Sequence, residues 1–297
     1  MTTNNSTTNA HALDAHALDA HALNAHALRD FAAMGDFITD LFCRLDDAMR
    51  DVPKHSQAKL HPSELVTLGL LFALKGRGGR AFERWAKDNL QGFFPKMPDR
   101  TRLFRLFATH QDWTRRFLSE PTLLGVADSY GIELVHPRRE GRSNQQIGKK
   151  GKSNLRWIVG AKLCFVLNRF GLVVDWDMDT ANVADKMFHP LIAAQDQQML
   201  VLTDAGFHAK PKDGQASDPA NMKVCPRGTW NDRMVIETVL SMLTGTCQIK
   251  KVAHRVWLYL KARLAFCLAA FNLLVQWQGL VPDESGFVQL HMAWITL

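Results

Sequence analysis

The chain has 297 residues, 46% of them hydrophobic and 22% charged, and a formal net charge of +7. That length suits one large domain, or a domain with smaller helical attachments, around a substantial core, and the balance of residues excludes a chain too polar to fold. The basic excess favours a polyanionic partner, nucleic acid ahead of an anionic membrane.

Residues 1–30 form a low-complexity leader in which His-Ala-Leu recurs at His11, His16, His21 and His26. A step of five residues turns a helix by about 140°, so these histidines share no face and build no metal site. The leader is expected to be disordered. It lacks the charged start and apolar centre of a secretory signal. An amphipathic helix is predicted from Phe31 to about Met49, where Phe37, Leu41, Phe42 and Leu45 recur at helical spacing. A second opens at Pro62-Ser63-Glu64 and stops near Gly76, a third covers Arg80 to Leu90, and a fourth follows Pro98-Asp99. Residues 31–120 thus read as a helical module with basic faces, which can either contact DNA or simply cap the next domain.

From Leu123 the texture changes to apolar runs separated by polar turns. Strands are predicted at Leu124 to Leu134, Trp157 to Leu167, Leu172 to Met178, Met199 to Thr203 and Met222 to Cys225, with a helix around Ala184 to Ala194. A helix carrying Glu237 and a long apolar helix from about Val256 to Trp277 follow. The pattern describes an α/β fold, a mixed sheet with flanking helices, over 121–280, and a tail at 281–297. The last helix is read as buried rather than membrane-spanning, because Asn272 and Gln276 interrupt it. Five cysteines without a C-x-x-C pair read as free thiols in a reducing cytoplasm.

Two of the apolar runs end on carboxylates, Leu123 to Asp128 and Met199 to Asp204, and Glu237 lies on the later helix. A strand that delivers a carboxylate to a sheet edge must pair, solvate or metal-bind it. Glycine follows closely in both cases, as Asp128-Ser129-Tyr130-Gly131 and Asp204-Ala205-Gly206-Phe207, which permits a sharp turn and leaves space beside the charge. Oxygen donors of this kind suit Mg²⁺ or Mn²⁺ better than zinc. Taken singly, an aspartate after a strand is commonly a turn or helix cap. Asp175, Asp177 and Asp179 alternate along one strand and are read as a solvated hairpin edge. His136, His189 and His208 are read as surface or packing residues.

These residues resemble the DDE-type transposases of bacterial insertion sequences. Asp204-Ala205-Gly206-Phe207 matches that family's D-x-G-[YF] motif. Trp230, Arg233 and Glu237 keep the spacing of its Y-x-x-R-x-x-x-E motif, with Thr244 where a lysine follows. Thr180 to Asp185 is similar to its T-x-x-N-x-x-D turn, with Asn182 one place early. The resemblance implies a ribonuclease H-like core in which Asp128, Asp204 and Glu237 bind two divalent ions and catalyse cleavage at transposon ends and strand transfer. It also implies double-stranded DNA as partner, a homo-oligomer on that DNA, a cytoplasmic, nucleoid-associated location and no membrane. Tryptophan and threonine in place of the family's tyrosine and lysine change substrate handling rather than metal binding. The basic segment with Lys149, Lys150, Lys152 and Arg156 is expected as a loop flanking Asp128 that holds DNA phosphates, with Arg233 on phosphate and Trp230 stacked on a base. The rival readings are a metal-dependent nuclease that does not join strands and an inactive DNA-binding remnant.

Overall fold

The computed structural model describes residues 33–76, 78–153, 156–208, 218–225, 230–250, 252 and 254–280, the side chains of 230–233 excepted. The leader with its histidine repeat and the tail at 281–297 lie outside the described residues. Helix α1 spans 33–48 and buries Met34, Ile38, Leu41 and Leu45, four positions at helical spacing. Three helices follow: α2 (Pro62–Lys75), α3 (Gly79–Asn89) and α4 (Arg100–Thr109). Pro62 takes the first turn of α2, while the Glu64 carboxylate accepts from the His61 backbone N–H at 2.6 Å. At the start of α4 the Asp99 carboxylate accepts from the Arg102 backbone N–H at 3.1 Å.

Six strands make one mixed sheet: β1 (Leu124–Val135), β2 (Lys149–Ser153), β3 (Arg156–Asn168), β4 (Val173–Thr180), β5 (Leu200–Thr203) and β6 (Met222–Val224). β1 and β3 pair antiparallel, as do β3 and β4, whereas β5 runs parallel to β1 and β6 parallel to β5. β2 and β4 succeed one another along the same edge of β3, since β2 pairs with residues 156–160 and β4 with 161–167. A short helix α5 (His189–Ala193) precedes β5, and α6 (Trp230–Thr246) and α7 (Trp257–Trp277) complete the chain.

The basic segment expected as a loop is the strand β2. Its charged side chains hid a strand because β2 lies at the sheet edge, where alternate positions face water. The sheet curls where glycines let backbones approach: a Cβ on Gly160 would overlap the Ile132 carbonyl, and one on Gly151 the Ala181 carbonyl. Through this curl the β2–β3 hairpin folds back over β1, and Ser153 packs against Gly131. Gly160→Ala is expected to cost about 3 kcal/mol, because backbone rather than a flexible side chain occupies the space. Chemical denaturation measures it, and a change under about 0.5 kcal/mol would contradict the close approach.

One hydrophobic cluster runs through the helical module and the sheet, joining Leu41, Leu68, Phe107, Val126, Phe165, Val239 and Phe266 among many others. A smaller cluster, with Ala127, Val166, Val201 and Phe207, lies on the opposite face. α7 lies at the centre of the larger cluster. Its length and apolar character would suffice to cross a membrane, yet 78% of its apolar window is buried against the rest of this chain.

His254, between α6 and α7, has its pKa lowered to about 4, first by burial and then by the Arg263 charge. An unfolded histidine titrates near 6.5, so between these values the unfolded state binds more protons. Stability is therefore complete above pH ~6.5 and is lost as pH falls toward 4, by up to about 3 kcal/mol from this group. In His254→Gln the loss of stability over that window should be visibly shallower in urea titrations; an identical slope would remove His254 as its cause.

Candidate acidic site at the β1–β5 edge

The parallel register sets the site. Leu124 pairs with Leu200, Gly125 with Val201 and Val126 with Leu202. Continued by two positions, that register brings Asp204 level with Asp128 on the neighbouring strand. Adjacent strands lie about 4.8 Å apart, so two carboxylates at one level on one face are neighbours. Alternation gives the face: Val126, Ile132 and Leu134 belong to the larger cluster and Ala127 to the smaller, which places Asp128 with the larger. Val201 and Leu202 divide in the same way, and Asp204 follows one residue beyond the end of β5.

Asp128 lies within β1, paired with Phe165, so the sharp turn expected behind it is continuous strand, whereas Asp204 lies in the turn after β5. An Asp128 carboxylate oxygen accepts from the Ser129 backbone N–H at 2.7 Å, and one of Asp204 from the Gly206 N–H at 2.9 Å. Both residues are half-buried. A Cβ on Gly206 would lie 3.1 Å from carboxylate oxygens of both Asp204 and Asp185. The glycine thus allows the Asp185 carboxylate to stand near that of Asp204.

Asp185 comes from the Thr180–Asp185 turn, and its partners account for its position. Its carboxylate accepts from the Ser129 hydroxyl at 2.6 Å and from the Lys162 ammonium at 2.9 Å. Lys162 also donates to the Val183 carbonyl at 2.7 Å, and little of either side chain of this ion pair is exposed. The Cys164 thiol beside them is raised well above its ordinary value, by burial first and then by the Asp128, Asp185 and Asp177 charges. It remains a protonated thiol, with neither a nucleophile's nor a ligand's charge.

Glu237 lies on α6, whose Ile236, Val239 and Leu243 pack into the same larger cluster that Asp128 faces. Its side chain is exposed on the flank of that buried stripe and forms no hydrogen bond or ion pair with a described residue. Among the described residues, no three His, Cys, Asp or Glu side chains are grouped so as to hold a metal ion. The fold therefore carries Asp128 on β1 and Asp204 just past the end of the neighbouring β5, and sets Glu237 exposed on α6.

The DNA-contact candidates divide. Trp230 and Arg233 occupy the first turns of α6, and their side chains lie outside the described residues. Lys149, Lys150 and Lys152 are exposed along β2, Lys150 pairing with Glu140 at 3.5 Å. Arg156 stands 3.7 Å from Glu133, its cationic group near the Tyr130 ring whose hydroxyl pKa burial raises. Trp157, 58% exposed, projects from this hairpin with the Lys150 ammonium 5.6 Å from its ring centre.

Sequence reasoning did not assign Lys162 and gave Asp185 no role at the site; only the T-x-x-N-x-x-D likeness signalled that turn. It also read His208 as isolated. The His208 ring joins the Thr203 hydroxyl at 3.0 Å to the Asp218 carboxylate at 2.7 Å, and His189 meets the Phe207 carbonyl at 2.7 Å, so both brace the turn after Asp204. Asp175 and Asp177 pair with Arg115 at 3.2 Å and Lys261 at 3.6 Å, as surface ion pairs rather than a second acidic centre. Compared with protein-family models and with curated proteins, the chain matches none.

Proposed function

We propose that the chain is a DDE-type transposase that cleaves DNA at transposon ends and transfers the strands to a target, on a ribonuclease H-like core. The observation that carries this reading is the coincidence of strand register with carboxylate spacing: the β1–β5 offset is the spacing of Asp128 from Asp204. A run of antiparallel strands followed by two parallel ones, with α6 on the face of the aspartates, is compatible with that core.

In this proposal Asp128 and Asp204 are the paired donors to Mg²⁺ or Mn²⁺, a chemistry that carboxylates suit. The bound ions supply activation of a water or 3′-hydroxyl and charge at the leaving oxygen. Glu237 completes the set when α6 shifts toward the pair on the DNA-bound protein. Asp185, held by Lys162 and Ser129, keeps the β1 segment and the Asp204 turn in fixed relation. Lys149, Lys150, Lys152, Arg156 and Arg233 hold the duplex backbone, and Trp230 stacks on a displaced base. A homo-oligomer on paired ends, in the cytoplasm on the nucleoid, belongs to the same reading.

The test is a cleavage and joining assay on duplexes carrying the DNA that flanks the coding sequence, with Mg²⁺ or a chelator. Metal-dependent nicking followed by joined product, both lost in Asp204→Ala, is the expected result. Nicking without joining assigns the chain to the nucleases. Binding that Asp204→Ala leaves intact, with no cleavage by either protein, identifies a DNA-binding remnant.

A further inference from the structure

Two large cavities adjoin at the far end of β1 from the aspartates. The first, about 990 Å³, lies between the loop after β1 and the segment before α7, and is lined by Arg138, Arg139, Arg142 and Arg255. The second, about 870 Å³, continues it toward the helical module and adds Arg80, Arg100 and the buried Arg263. His254 and Arg255 line both, so the two form one cleft. Among the described lining residues neither cavity has an aspartate or glutamate. Arg80, Arg138, Arg139, Arg142 and Arg255 are exposed and form no ion pair with a described residue. Within the cleft Arg100 stands 3.7 Å from Glu83, and elsewhere in the chain Arg116 pairs with Asp51 at 2.7 Å and Arg115 with Asp175 at 3.2 Å.

The wall carrying three of these arginines is a built turn. Pro137–Arg139 forms one turn of 3-10 helix, and the His136 ring nitrogen accepts from the Arg138 backbone N–H at 3.2 Å. The Gly141 N–H donates to the Gln146 side-chain oxygen at 2.8 Å, and Gly141 and Gly148 take positive φ values of 72° and 80°. Three separate stretches of chain thus direct unpaired guanidinium groups into one acid-free cleft. Such a concentration of like charge is costly by itself and is relieved by a polyanion.

We infer that this cleft binds the phosphate backbone of double-stranded DNA, as a second contact surface remote from the acidic pair. The five exposed arginines, Arg80, Arg138, Arg139, Arg142 and Arg255, carry more charge than one phosphate or nucleotide neutralises, whereas a duplex presents a charge about every 1.7 Å of its axis. Base stacking is not the mode. The first cavity has no Phe, Tyr or Trp lining residue among those described, and of the two in the second Phe104 is engaged with Phe72, Phe82 and Phe107 while Tyr259 is half-buried. Leu134, on the cleft wall, follows Asp128 by roughly 20 Å of extended strand, so a duplex in the cleft would be gripped at a distance from the carboxylates. The inference takes its ligand from the DNA reading but does not depend on catalysis by Asp128 and Asp204.

The experiment measures binding of the full chain to a short random-sequence duplex across a salt series. Arg138→Ser/Arg142→Ser/Arg255→Ser is expected to weaken binding at least tenfold and to flatten the salt dependence by about two to three in log–log slope. Lys59→Ser/Lys96→Ser/Lys223→Ser, with the same change in charge, serves as control and should leave the slope within about one unit. Binding of the unaltered chain is read in chelator, where no metal-dependent cleavage can occur, which separates failure of the cleft from failure of the catalytic reading. Equal effects of the two triple variants would overturn the proposal. So would full displacement of the duplex by inorganic phosphate at equal ionic strength, or loss in the arginine variant of binding to phosphatidylserine vesicles with DNA binding unchanged.

Discussion

For the proposed transposase, alanine at Asp128, at Asp204, or at both is expected to reduce metal-dependent DNA cleavage by the same factor, on the order of 10³ or more. The reason is geometric. In the proposed reading the two carboxylates, whose spacing equals the β1–β5 register offset, act as one pair of donors and neither has a separate function to lose. Residues that act as a unit are strongly non-additive: once one is gone, removing the second costs little more. Single variants that each lose a modest factor and multiply in the double variant would show two independent roles and defeat the paired-site reading. The folded state should survive, because both side chains are only half-buried and each accepts from a backbone N–H one or two residues along the chain. Thermal unfolding midpoints of all three variants would verify that.

Asn272→Leu is expected to destabilise the chain by about 3 kcal/mol or more, the largest stability effect foreseen for a single side chain. Asn272 sits in the middle of α7 with no solvent exposure. Its side-chain oxygen accepts from the Val173 N–H at 2.8 Å, and its amide donates to the Val173 carbonyl at 2.7 Å and to the Phe117 carbonyl at 3.1 Å. One side chain thus ties the buried helix both to β4 and to the turn that ends the helical module. Leucine has similar volume, so little cavity forms, and the cost is that of leaving those backbone groups short of partners. Val173 retains a bond from the Ser119 N–H at 2.8 Å to its carbonyl, but among the described residues its own N–H has Asn272 as its partner. A denaturation midpoint shift equivalent to less than about 1 kcal/mol would mean that water or a relaxed backbone replaces those bonds.

The same residue shows where sequence reading stops. Asn272 was legible as an interruption in an apolar helix, which argued against a membrane span. That it bridges two other elements was not legible, since its partners lie 155 and 99 residues away in the chain. Asp185 and Lys162 differ in the same way. A turn motif marked the first, and nothing marked the second, because a lone lysine in an apolar strand carries no periodic signal. Their pairing depends on β3 being laid beside β1 and on the turn after β4 folding back over both.

By itself, the sequence determined the local elements. Apolar period placed α1 to α4 and α7, the glycine turn at Asn168 to Gly171 placed the β3–β4 hairpin, and short apolar runs placed β1 and β5 with their terminal aspartates. Those are nearest-neighbour effects of propensity and burial, legible within a window of ten or twenty residues. Tertiary structure decided what distant segments do to each other. It fixed the parallel register that sets Asp204 level with Asp128 and the curl at Gly160 that folds the basic hairpin over β1. It also put Glu237 on the exposed flank of α6 and gathered unpaired arginines from three stretches into one cleft. Register and curl follow from which buried surfaces fit together, and charge gathering follows from register. None is encoded at a single position, so each became visible only once the strands were side by side.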